Sequence, residues 1–148
     1  MASFLIWVMF AGLLVLWIID GKIKKEQVLH ALLACLFAYL TTLMIKELFP
    51  TLRPFEINGK RPLTITVHSN SAFPSSHAAV AFALSVTVWL HSKKNGIFFI
   101  LSAILVGLGR VLGNVHYYID ILGGAVLGSL IAILVERFHL SRLIITKK

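Results

Sequence analysis

The sequence predicts an all-α, polytopic membrane helix bundle with about five transmembrane helices. Three observations predict it. The 148 residues are 58% hydrophobic and only 14% charged, with a mean hydropathy of +0.89, too little charge to cover a soluble domain. Five apolar runs alternate with short polar segments. The basic residues gather at the ends of those runs rather than in a region of their own. The length gives room for one domain, residues 1–148. The net charge of +8 therefore reads first as topology signals, which argues against nucleic acid as a partner. Cys35 is the only cysteine, so no intrachain disulfide can form.

The first helix is expected over Phe4–Ile19, an uncharged run with neither the basic start nor the cleavage site of a signal peptide. A polar segment from Asp20 to Gln27 follows. The second helix is expected over Val28–Leu48, about 30 Å at about 1.5 Å per residue, and is ended by Pro50 and Pro54. Residues Pro50 to Pro74 read as a loop, with Asn58-Gly59 as a turn signal and Leu63–Val67 as a short extended piece. The third helix is expected to begin at Pro74-Ser75-Ser76-His77, where serines suit an N-cap, and to run to Leu90. His91–Gly96 reads as a tight polar turn. The fourth helix is expected over Ile97–Leu112 and the fifth over Tyr118–Phe138, before a tail with Arg142, Lys147 and Lys148. Ala103 and Gly107, Gly109 and Gly113, and Gly124 and Gly128 recur at four-residue spacing, which favours close helix packing in lipid.

Five spans sort the connections onto two faces. One holds Lys22, Lys24, Lys25, Lys93, Lys94, Arg137, Arg142, Lys147 and Lys148; the other holds Lys46, Arg53, Lys60, Arg61 and Arg110. The richer face is expected to be cytoplasmic, which puts the N-terminus outside and the C-terminus inside. Lys46, Arg53, His77, Arg110, His116 and Asp120 then all fall at the outer face of a cell (cytoplasmic) membrane. Ionisable groups at the edge of hydrocarbon are costly and usually functional. Three cations, two histidines and a carboxylate suit an anion that undergoes acid–base or nucleophilic chemistry. Ser75 and Ser76 add a helix N-terminus, which attracts phosphate. Each feature alone has a plainer reading: Lys46 as a snorkelling helix-end lysine, His116 and Asp120 as a structural interfacial pair. His68 and Glu56 are further candidates near the site. His30, His91 and His139 fall toward the other face and read as structural.

Lys46-(six residues)-Arg53-Pro54, Pro74-Ser75-Ser76-His77 and Arg110-(five residues)-His116-(three residues)-Asp120 together resemble the three-part signature of the type 2 phosphatidic acid phosphatase (PAP2) superfamily. The resemblance covers Lys46 to Asp120. Ser76 stands where glycine is frequent, and Gly109 where a serine often precedes the arginine. The family's membrane members often have six spans, and this chain is expected to lack the first. The resemblance implies a lipid phosphatase in which His116 attacks phosphorus, Asp120 orients it and His77 protonates the leaving oxygen. Lys46, Arg53, Arg110, Ser75 and Ser76 would hold the phosphoryl group.

The implied partners are a membrane lipid phosphate and the bilayer, with undecaprenyl diphosphate favoured over phosphatidylglycerophosphate or phosphatidic acid. A phosphotransferase and a non-enzymatic lipid-phosphate binding or transport protein are the other readings. No cofactor or metal is expected. The six acids are Asp20, Glu26, Glu47, Glu56, Asp120 and Glu136, and only Glu47, Glu56 and Asp120 fall on the site's side, too few for a two-metal centre among cations.

Overall fold

The computed structural model describes residues 2–18, 25–64 and 71–137. Among these there are six helices and no strand: α1 (Ala2–Ile18), α2 (Lys25–Leu48), α3 (Pro54–Asn58), α4 (Ser76–His91), α5 (Lys93–Leu112) and α6 (Tyr118–Arg137). The five expected apolar helices are all present. Three of them, Gln27–Leu48, Lys93–Leu112 and Tyr118–Arg137, are long and apolar enough to cross a membrane; Phe4–Ile18 and Ser76–His91 are apolar but shorter. Asp20 to Lys24, the larger part of Leu63–Val67, His68, Phe138, His139 and the basic tail lie outside the described residues.

The bundle is built around α4, which packs against α6, α5 and α2, with α1 set mainly on α5. The sequence explains this centrality. Ala78, Ala79, Ala81 and Ala83 give α4 a narrow cross-section, and all four are buried. Helices without bulky side chains approach closely, and in lipid that packing replaces the hydrophobic drive available in water. Gly124 and Gly128 complete the contact from α6: a Cβ at Gly124 would lie 2.5 Å from the Ser75 carbonyl oxygen, and one at Gly128 2.1 Å from that of Ala79. Several hydroxyl groups inside the bundle are satisfied by partners within it. Ser85 Oγ lies 2.7 Å from the Ala81 carbonyl and 2.8 Å from the Phe99 carbonyl, linking α4 to α5. Thr42 Oγ1, fully buried on α2, lies 2.9 Å from Ser76 Oγ at the head of α4. Large apolar side chains instead face outward, among them Phe4, Trp7, Met44, Leu105, Leu122 and Leu134. Small residues inside and large ones outside suit a bundle solvated by lipid.

Three stretches differ from the sequence expectation. α2 begins at Lys25, so the last three residues of the expected polar segment, Lys25 to Gln27, are helical. The polar stretch His91–Gly96 is not an open turn: α4 continues through His91, Ser92 alone breaks the path, and α5 begins at Lys93. Gly96 lets this corner close, because a Cβ there would sit 2.2 Å from Trp89 Cα. The loop after α2 contains a one-turn helix, α3, with Pro54 in its first turn and Gly59 ending it in the left-handed region at φ 67°. Proline at the start and glycine past the end of a helix are each favoured by backbone geometry. Glu56 Oε2 accepts from the Arg53 N–H at 2.6 Å, so this acid caps α3.

Candidate active site

The N-terminal ends of α4 and α6 and the C-terminal ends of α2 and α5 meet at one end of the bundle. The backbone N–H of Ser75 donates to the Asp120 carbonyl at 3.0 Å and joins the two starting helices. Ser75 is the N-cap of α4 and is fully buried; its Oγ accepts from the Ala78 N–H at 3.4 Å. Its own amide is therefore engaged by Asp120. Ser76, the first residue of α4, occupies a position whose amide has no acceptor within a helix. His77 follows in the same turn and is half-buried.

The end of α5 is shaped by local sequence. Gly113 N–H bonds the Gly109 carbonyl at 3.0 Å, and Asn114 then takes a positive φ of 59°. Asparagine tolerates this region better than most residues. The chain reverses, Val115 N–H returns to the Arg110 carbonyl at 3.3 Å, and His116 is delivered beside the start of α6. His116 Nδ1 lies 3.4 Å from Asp120 Oδ2, close but not aligned as a hydrogen bond. Asp120 Oδ2 also accepts from the Tyr117 N–H at 2.8 Å, which caps α6 and fixes the carboxylate.

Three cations complete this end. Lys46 Nζ donates to the Ser71 carbonyl and, at 3.3 Å, to that of Ala72. Arg53 Nη1 donates to the Val115 carbonyl at 3.1 Å, and its Nη2 to Ser71 at 3.4 Å. Arg110 Nη1 donates to Thr64 Oγ1 at 3.4 Å. Lys46, Arg53, Arg110, His116 and Asp120 are each at most 6% exposed. Thr51 and Ser71 clasp the loop through Oγ1 and Oγ 2.8 Å apart. Leu63 N–H bonds the Gly113 carbonyl at 3.0 Å and drapes the loop's other limb over the end of α5.

Among the described residues, three buried cations against one buried carboxylate leave an excess of positive charge out of water, an arrangement that an anion would relieve. Burial is the largest influence on His116 and, with the Arg53 and Arg110 charges, lowers its pKa from 6.5 to about 4 against the opposing pull of Asp120. The imidazole is neutral at neutral pH and keeps a lone pair. Burial also lowers the Arg53 pKa, while Glu56 and Asp120 raise it. Beside the site an apolar groove of 440 Å³ runs between α2 and α6, bounded by Ile45, Phe73, Pro74, Ile119, Gly123 and Val126 among others.

The structure thus brings the Lys46, Arg53, Ser75, Arg110, His116 and Asp120 side chains to one end, with Ser76 and His77 at the head of α4. Glu56 is exposed and serves α3. Sequence reasoning missed Ser71, whose carbonyl is shared by Lys46 and Arg53, and Thr64 beside Arg110. Backbone acceptors leave no mark in residue type, so only the chain path could reveal Ser71.

The PAP2 superfamily pattern matches residues 27–143. The chain is 27% identical over 135 residues to a protein of Bacillus licheniformis named bacitracin transport permease protein BcrC, covering 91% of this chain and 66% of that one. It is 27% identical over 126 residues to a Bacillus subtilis (strain 168) protein named undecaprenyl-diphosphatase BcrC, covering 85% of this chain and 65% of the other. The chain thus spans just under two thirds of the length of these relatives. A crystal structure of a transmembrane PAP2-type phosphatidylglycerolphosphate phosphatase from Bacillus subtilis superposes with a TM-score of 0.68 at 26% identity, covering 99% of this chain and 78% of that one. The apolar helices and these relatives agree on a multi-pass membrane protein.

Proposed function

The chain belongs to the PAP2 superfamily, and from that premise we propose that it is a membrane phosphatase removing the terminal phosphate of a lipid phosphate or diphosphate, with undecaprenyl diphosphate as favoured substrate. The observation that carries the reading is the buried cationic end of the bundle with a neutral imidazole inside it. Neutrality matters because only the unprotonated ring has a lone pair to give.

His116 Nδ1 faces Asp120, so Nε2 is the attacking atom. A bond forms from Nε2 to phosphorus as the bond from phosphorus to the leaving oxygen breaks. His77 gives that oxygen its proton. The ring becomes cationic as it is phosphorylated, and Asp120 stabilises the charge. Water then attacks phosphorus and passes a proton to His77; phosphate leaves and His116 is neutral again. Lys46, Arg53 and Arg110 stabilise the phosphoryl charge, and their bonds to loop oxygens fix them before substrate arrives. The Ser76 amide adds a donor at the dipole's positive end, while Ser75 holds that helix end against α6. No metal is assigned a role here, because the donor set is cationic with a single carboxylate and a divalent ion would be repelled.

Five apolar helices support five spans, and the lysine and arginine asymmetry favours the N-terminus and the site outside and the C-terminus inside the cell membrane. The groove beside Phe73 suits a tail that stays in the bilayer while the headgroup enters. The names of the relatives favour a polyprenyl diphosphate; the structural neighbour's favours phosphatidylglycerophosphate. One relative is named a transport protein, which supports a second reading of binding without turnover.

Phosphate release from a panel of these lipids by the purified protein, with EDTA present, tests the proposal. Turnover in EDTA is expected. Binding without release would favour the second reading, and loss of turnover in EDTA below the unfolding temperature would overturn the metal-free mechanism.

A further inference from the structure

At the other end of the bundle α2, α4 and α6 bring His30, His91 and Glu136 together. Each lies 15 or 16 residues along its helix from Lys46, Ser76 or Asp120, which is about 24 Å at about 1.5 Å per residue. Glu136 Oε2 is 3.0 Å from His30 Nδ1 and 3.0 Å from His91 Nε2. We propose that these three side chains form a site for a divalent transition-metal ion of the zinc class, ligated by His30 Nδ1, His91 Nε2 and the Glu136 carboxylate and joining the three helices.

The donor set selects the ion. Two imidazoles and one carboxylate suit zinc and its neighbours, whereas magnesium and calcium want oxygen. The geometry is near what such an ion needs. The three ligand atoms lie within 4.8 Å of one another. An ion about 2.1 Å from each wants them about 3.4 Å apart. A rotation of the His91 ring supplies the difference, and its 15% exposure leaves room for it. Glu136, 24% exposed, opens the site to an entering ion and to water as a further ligand. Without an ion, His30 Nδ1–H donates to the Glu136 carboxylate; ligation through Nδ1 moves the ring proton to the buried Nε2, which meets no competing donor among the described residues. Nδ1 can present its lone pair. Nearby Lys93 is drawn over the Trp89 ring, 3.2 Å from its centroid.

The inference stands apart from the phosphatase reading, since it uses none of the same residues. It is tested on the full chain without a polyhistidine tag, stripped with EDTA and titrated with Zn²⁺, with Co²⁺ as a spectroscopic probe. One ion per chain is expected, with the visible spectrum of nitrogen- and oxygen-ligated cobalt and a thermal midpoint that rises with Zn²⁺ and falls in EDTA. Glu136→Gln and His91→Asn, at partly exposed positions, should bind about tenfold or more weakly. His116→Ala should bind as the parent does. Absence of stoichiometric Zn²⁺ binding, or equal binding by parent, Glu136→Gln and His91→Asn, overturns the proposal. Binding lost in His116→Ala and kept in Glu136→Gln also overturns it, by moving the ion to the opposite end.

Discussion

The backbone N–H of Ser75 donates to the backbone carbonyl of Asp120 at 3.0 Å, so the first turns of α4 and α6 are tied head to head. His77 lies two residues beyond one end of this bond, and His116 is four residues before the other. The tie is made between main chains, and α6 can approach closely enough for it because Gly124 faces the Ser75 carbonyl without a side chain. The geometry of the candidate site and the helix packing are therefore coupled at this point.

Gly124→Ala tests that coupling. The added Cβ would lie 2.5 Å from the Ser75 carbonyl oxygen, and backbone cannot rotate aside. The expected cost is about 1–3 kcal/mol of stability from overpacking. Phosphate release should fall together with the thermal midpoint in detergent. Parent-like values of both would show that α4 and α6 tolerate separation here.

His116→Ala should abolish turnover, by about 1,000-fold or more, while the cations still bind the lipid headgroup. An equilibrium binding measurement on the same variant separates the two effects. Retained turnover would remove His116 as nucleophile.

Asp120→Asn keeps an oxygen for the Tyr117 N–H, so the cap on α6 and the thermal midpoint should survive. The charge that stabilises the His116 cation is gone. A fall in kcat of about 100-fold or more is expected, by analogy with other imidazole–carboxylate pairs. A variant that instead unfolds at lower temperature with unchanged kcat would make Asp120 a structural residue.

The pH profile follows from the His116 shift. Burial, reinforced by Arg53 and Arg110, lowers its folded pKa to about 4 from the ordinary 6.5. The free protein thus keeps the neutral ring down to about pH 4, and the acid limb of kcat/KM that belongs to the nucleophile should lie there. Between the two values the unfolded chain binds more protons than the folded one. The stability contributed by neutral His116 is therefore complete above pH 6.5 and lost as pH falls through about 4. Thermal midpoints across this range should decline on acidification, and His116→Ala should flatten the decline. An equal decline in the variant would assign it to other groups.

Val126→Trp tests the groove. Val126 lines it and is 59% exposed, so a larger side chain can enter without disturbing the core. A rise in KM of about tenfold is expected for a long-chain lipid diphosphate, with little change for a short, water-soluble diphosphate, because only the former needs the apolar wall. Equal effects on both substrates would place the tail elsewhere.

The apolar runs determined the class of fold, since 14% charge cannot cover a soluble surface, and their spacing put every motif residue at the same end of the bundle. That inference needs only helix lengths and alternating direction. Residue type also carried the chemistry: a histidine and an aspartate four apart, and cations at helix ends. The tertiary structure decided what depends on backbone partners. It engaged the Ser75 amide in the tie with Asp120, gave Glu56 to α3, and made the Ser71 carbonyl the shared anchor of Lys46 and Arg53. It also converged His30, His91 and Glu136, three residues up to 106 positions apart. The sequence placed them toward one face, but which faces of α2, α4 and α6 turn inward is set by packing on an alanine-lined central helix. Helix rotation about its own axis is a property of the assembled bundle, and hydropathy along one chain does not encode it when all sides are apolar.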